Sequence, residues 1–202
     1  MGLQQLVKDY GVNVKKICLF IIAALVLTGC ATTPKANSEF SASDISFAEE
    51  MIPHHEQAVL MSDIALTNST SDEILALARD IKAAQAPEIE TMGSWTGVNP
   101  SNHMGHMMDG MLSEAQIQQL RDSEGVTFDR LFLEGMIAHH EGAIKMAQKV
   151  IDSKSKKVAD LAAAIIEAQE KEIAFMQELI KFYSKEKTQL SSKVMMKVGF
   201  YS

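Results

Sequence analysis

The sequence predicts an all-α protein, a four-helix bundle built from two repeated helical hairpins. Three observations carry that prediction. First, the composition is that of helices: Ala, Leu, Ile, Glu, Gln, Lys and Met dominate the 202 residues, with only 4 Pro and 6% aromatic residues. A hydrophobic fraction of 47% is enough to fill the core of one ordinary domain. Second, the chain repeats itself. Phe47, Met51, Ile52, His54, His55, Glu56, Ala58 and Met61 recur as Phe132, Met136, Ile137, His139, His140, Glu141, Ala143 and Met146, each displaced by 85. Ile74, Leu77, Ile81, Gln85, Glu88, Ile89 and Met92 recur as Val158, Leu161, Ile165, Gln169, Glu172, Ile173 and Met176, displaced by 84. A one-residue difference in a connecting loop accounts for the change. Third, positions 47, 51, 54, 58, 61 and 65, and again 74, 77, 81, 85, 88 and 92, step by three and four, the stripe a helix buries in a bundle.

Residues 1–29 read as an export signal. Lys15 and Lys16 precede the apolar run Ile17 to Leu27, too short to span a bilayer but suited to a signal peptide. The ending Leu27-Thr28-Gly29-Cys30 resembles the lipobox of bacterial lipoproteins, which implies lipidation of Cys30 and a membrane anchor in the cell envelope. Ala31, rather than Asp, after the cysteine implies outer-membrane sorting by resemblance to double-membraned bacteria. With Cys18 removed and Cys30 lipidated, no thiol is left, so a soft-metal site must use Met and His. Losing three lysines and Asp9 from 19 basic and 26 acidic residues leaves 16 and 25, a charge of −9. Such a surface repels nucleic acid.

Residues 30–42 form a small, polar, flexible tether, and the duplicated domain follows over 43–185. Its repeats cover about 43–93 and 127–184. In the first, Thr70-Ser-Asp-Glu73 reads as a capping box opening the second helix, and the short 66–71 turn makes the hairpin antiparallel. Residues 94–126 hold a Gly-, Asn-, His- and Met-rich loop and then a short helix, opened by the capping box Ser113-Glu-Ala-Gln116 and ending near Ser123. The tail, 186–202, carries no strong pattern.

All six histidines fall in three places: His54-His55, His139-His140, and His103 with His106 in the loop. His54 and His139 lie on the buried stripes, each with a Met three residues before (Met51, Met136) and seven after (Met61, Met146). Imidazole suits copper, zinc or iron, and thioether selects copper(I). His55 and His140 sit about 100° further round and Glu56 and Glu141 about 200°, so the three consecutive residues cannot all ligate one ion. Glu88 and Glu172, beside Gln85 and Gln169 on the second helices, are better placed to orient the histidines or to ligate. Alternatively, the His and Glu side chains form a buried polar layer that fixes register, and the methionines are core. Pro53 reads either as a kink inside the first helix or as its start. In the loop, His103, Met104, His106, Met107, Met108 and Met111 put two histidines and four methionines within nine residues, able to wrap a soft ion. The Glu-x-x-His pairs of di-iron bundles and the His-Glu-x-x-His of zinc proteases are both absent from the sequence.

The paired Met-Ile-x-His-His-Glu-x-Ala-x-x-Met segments, each followed by Gln-x-x-Glu-Ile-x-x-Met, closely resemble the family catalogued as domain of unknown function 305, over about Ser43 to Tyr183. The resemblance implies a ferritin-like four-helix bundle, often exported, and for some members copper binding and a role in copper tolerance. Carried over residue by residue, it points to His54, His55, His139 and His140 with Met51, Met61, Met136 and Met146. The leading expectation is a non-enzymatic, lipid-anchored protein that sequesters or hands on copper outside the cytoplasm. The alternatives are a metal-dependent oxidase of the envelope and a structural lipoprotein with a buried His/Glu layer. An envelope protein or a second copy of the chain is left open as a partner.

Overall fold

The computed structural model describes residues 39–103 and 107–198, with side chains described to residue 185 and not for His103. The predicted signal, Cys30 and residues 31–38 therefore lie outside the described residues. Five helices follow in order: α1 (Ala42–Asn68), α2 (Asp72–Gly93), α3 (Glu114–Arg121), α4 (Gly125–Gln148) and α5 (Lys156–Val198), with a 3-10 turn at Pro100–His103. The described residues contain no strand. Two hairpins, α1 with α2 and α4 with α5, pack together mainly through α1 against α4. Among the described residues no helix is long and apolar enough to cross a membrane.

Helix ends follow local chemistry. Ser41 and Asp44 form a reciprocal capping box on α1, and Ser113 and Gln116 form the predicted one on α3. On α2 the cap is Ser71, whose hydroxyl accepts from the Ile74 amide at 3.4 Å, and not Thr70. The reason is that α1 runs on to Asn68, leaving only 69–71 to turn the chain. Pro53 is interior to α1, eleven residues past its start, and Pro87 is interior to α2. Two stretches differ from the sequence reading. The tether ends inside the domain, because Phe40 is buried and stacked on Trp95 at 4.9 Å between ring centroids. The tail is helical to Val198, since no Gly or Pro occurs between Ala143 and Val198 to stop α5.

The core falls into two apolar halves. One gathers Ala58, Met61, Ile81, Phe132, Met136 and Met176 with their neighbours. The other gathers Phe47, Met51, Met92, Met146, Val158 and Ile165. On every one of the four long helices, buried polar side chains fall in sequence between the halves: His54 and His55, Gln85, His139 and His140, Gln169. A polar layer therefore crosses the bundle. Met51 and Met146 flank it on one side, Met61 and Met136 on the other.

Candidate metal centre

The layer centres on His54 and His139, which α1 and α4 bring face to face with ring centroids 3.8 Å apart. Both are fully buried, as are His55 and His140. Each of the four rings is held through Nε2. His54 donates to the backbone carbonyl of Asp109 at 3.1 Å and His139 to that of His54 at 2.9 Å. His55 donates to the Glu88 carboxylate at 2.8 Å and His140 to that of Glu172 at 2.7 Å. A carbonyl and a carboxylate can only accept, so the proton of each neutral ring sits on Nε2. The lone pair then sits on Nδ1. All four Nδ1 atoms are buried without a hydrogen-bond partner.

Burial, and then the neighbouring His55, push the pKa of His54 down to about 3. His139 is pushed well below the usual histidine range by burial first, and then by His54, His140 and His55. Both rings are therefore neutral near pH 7, the form that ligates metals. Buried nitrogen lone pairs without partners are costly in an apolar core. A soft cation is one species that would satisfy them, and the thioethers of Met51, Met61, Met136 and Met146 stand along the same helices.

The second helices supply more unpaired polarity. Gln85 is buried with neither amide atom hydrogen-bonded, and Gln169 is buried with its Oε1 unpaired. Glu88 and Glu172 are partly exposed and bridge their histidines to solvent. Glu56 and Glu141 face solvent, as their position on the helix requires. Among the described residues no three His, Cys, Asp or Glu groups converge on one point, so ligation within the layer would have to draw on thioethers.

The loop histidines are not brought to this layer by any described contact. The His103 side chain, Met104 and His106 lie outside the described residues. Met107 is exposed, whereas Met108 and Met111 are half-buried, Met108 against the Phe40–Trp95 half of the core. The sequence reading missed what pins this loop. Glu49, buried in α1, accepts from the Asn99 amide at 2.8 Å and from Asn102 Nδ2 at 2.7 Å. Gln57 holds Leu112 twice, accepting from its amide at 2.7 Å and donating to its carbonyl at 2.9 Å. Lys145 pairs with the Asp109 carboxylate at 2.7 Å, and their hydrogen bond holds that carboxyl below the usual range. A hint existed in the repeat itself: Gln57 corresponds to Gly142, a small residue where the first copy has a long one.

The comparisons with known proteins follow this geometry. The family model for the domain of unknown function (DUF305) matches residues 44–180. A DUF305 protein from Streptomyces coelicolor, a candidate for secretion, is 31% identical with a TM-score of 0.62, over 68% of this chain and 91% of its own. A DUF305 fragment from Deinococcus radiodurans is 29% identical with a TM-score of 0.61, over 70% and 97%. CopM in its Cu(II)-bound form is 31% identical with a TM-score of 0.61, over 69% and 97%, and it has also been solved with Cu(I) and with silver. No curated protein matches.

Proposed function

The chain belongs to the domain of unknown function 305 family, and we propose that it binds copper outside the cytoplasm, to sequester it or hand it on, while tethered to the envelope through Cys30. Copper is cargo in this reading, not a catalytic group. One observation carries it: four buried imidazoles are each locked by a partner at Nε2 and left with an unpartnered Nδ1. Partners at the far nitrogen are how ligating histidines are oriented elsewhere. The ligands are His54, His55, His139 and His140, with Met51, Met61, Met136 and Met146. Glu88 and Glu172 accept from Nε2 of His55 and His140 and so orient those rings. Thioether donors favour the cuprous ion over zinc, and the lack of any cysteine after Cys30 suits an oxidising compartment. CopM, solved with both oxidation states of copper, lends the reading support, and the Streptomyces relative lends it to export. The loop methionines and His103 and His106 form a second, outer set of donors.

Titration against a chromophoric copper(I) chelator tests this. The wild type should bind with a dissociation constant well below about 1 μM. A His54→Leu/His139→Leu variant, folded by circular dichroism, should lose at least about tenfold in affinity. Equal binding by the two proteins ends the reading. Mass spectrometry of the envelope fraction should find a diacylglyceryl adduct on Cys30, abolished in Cys30→Ser.

A second reading is favoured by the two His–Glu pairs, which resemble a satisfied polar layer. It makes the chain an anchored scaffold, and it requires native protein to be free of metal.

A further inference from the structure

His54 and His139 are matched by the repeat but not by their partners. The Nε2 of His139 is held by a helix carbonyl, that of His54. The Nε2 of His54 is held by the Asp109 carbonyl, which belongs to the loop between the repeats and has no counterpart in the second copy. The segment Asp109–Leu112 crosses the bundle as a strap, and its seat is cut to fit. A Cβ at Gly142 would stand 1.9 Å from the Asp109 oxygen. A Cβ at Gly110, whose φ is 83°, would stand 2.3 Å from the Ala138 oxygen. Only glycine allows the two backbones to approach this closely, and at Gly110 only glycine adopts the angle without strain. The strap's far end is clamped by the double hydrogen bond of Gln57 to Leu112.

We propose that the strap is a positioning element for His54. Its Asp109 carbonyl, seated through Gly110 and Gly142, fixes the ring in the Nε2–H tautomer and so presents Nδ1 as the metal-binding atom. Without that acceptor the proton is free to sit on either nitrogen, and part of the population has the lone pair on the wrong side of the ring. Because it is a main-chain carbonyl, no substitution at Asp109 removes it, so the seat has to be altered. The copper consequence rests on the function proposed above; the tautomer consequence rests on geometry alone.

Gly142→Ala and Gly110→Ala each force the strap off its seat from opposite sides. Gly135→Ala is the matched control in the same helix, since its Cβ would meet no backbone, only the ends of flexible side chains: the Leu112 methyls at 3.1 and 3.4 Å and the Met61 methyl at 3.4 Å, an ordinary contact distance. Lys156→Ala is a second control, because it removes only an exposed ion pair to Asp160 on α5, outside the strap and its seat. In metal-free protein, nitrogen-15 NMR of the imidazole should show a single Nε2–H tautomer for His54 in wild type and both controls. The two seat variants should show a mixture, with faster hydrogen exchange at the Leu112 amide. Copper(I) affinity should fall about tenfold in the seat variants and hold within about twofold in the controls. The proposal is overturned if the Leu112 amide exchanges freely in Gly142→Ala while the His54 tautomer stays as in wild type. It is overturned equally if copper(I) affinity in the seat variants matches that of Gly135→Ala. A wild type that binds no copper sinks the metal reading alone, because the tautomer readout still decides the strap.

Discussion

At the residue scale, the four histidines divide into two kinds. His55 and His140 reach out to carboxylates on the hairpin partner helix; His54 and His139 stay among backbone and ring atoms. Removing a carboxylate therefore strands a buried donor. Glu172→Ala and Glu88→Ala should each lower unfolding free energy by about 1–3 kcal/mol in urea, with matching losses because the two sites match. The inner pair governs the response to acid. A histidine whose folded pKa lies near 3 against an unfolded value near 6.5 refuses a proton that the unfolded chain accepts. As pH falls from about 6.5 toward 3, the unfolded state gains, and stability drops by up to ~1.4 kcal/mol per pH unit for each such ring. Above pH 7 this contribution is flat. Asp129, raised by burial, binds its proton early and works in the opposite direction at the acid end. Denaturant midpoints measured from pH 7.5 to 5 should fall in wild type and fall less in His54→Leu. The inner histidines and their stripe were legible from spacing alone. Their partners were not, since a backbone carbonyl that accepts from a ring, whether from a loop 55 residues away or from a facing helix, leaves no trace in side-chain pattern.

At the element scale, the repeat extends into features that the matched stripe did not reveal. Ser69 and Ser153 each accept from the amide two residues on, that of Ser71 or Ser155, both at 3.1 Å. They are 84 apart, so the one-residue offset lies before them, between Met61 and Ser69 in the first repeat and between Met146 and Ser153 in the second. Asp44 and Asp129, 85 apart, are both buried near the start of that helix. Asp129 accepts from the Ser69 hydroxyl of the other repeat at 2.6 Å. For Asp44, burial works to raise the pKa, but bonds from Ser41 prevail and the Ser153 hydroxyl adds to them, so the group stays low. The first hairpin turn is thus tied to the opposite hairpin. Sequence patterning missed this because a lone aspartate on a helix reads as surface. The cap on α2 gives a direct check: Ser71→Ala should cost about 1 kcal/mol, while Thr70→Ala, exposed, should stay within about 0.5 kcal/mol. The opposite ranking would restore the capping box that the sequence suggested.

At the scale of the whole molecule, the bundle was legible because both hairpins carry the same three-and-four stripe, and the α5 extension was not because a polar helix without breakers resembles a tail. Among the described side chains, the last buried residue of α5 is Leu179, and Tyr183, packed against the same core, is bonded to Ser71 at 2.9 Å. The polar layer itself acts on alignment. If either hairpin slid by one helical turn against the other, about 5.4 Å, an imidazole or an amide would be driven into hydrocarbon. The belt is therefore a vernier mark that forbids sliding. Exchanging its six members for leucine should raise thermal stability yet blur the amide spectrum into several coexisting alignments, trading a single arrangement for a stickier but less decided one.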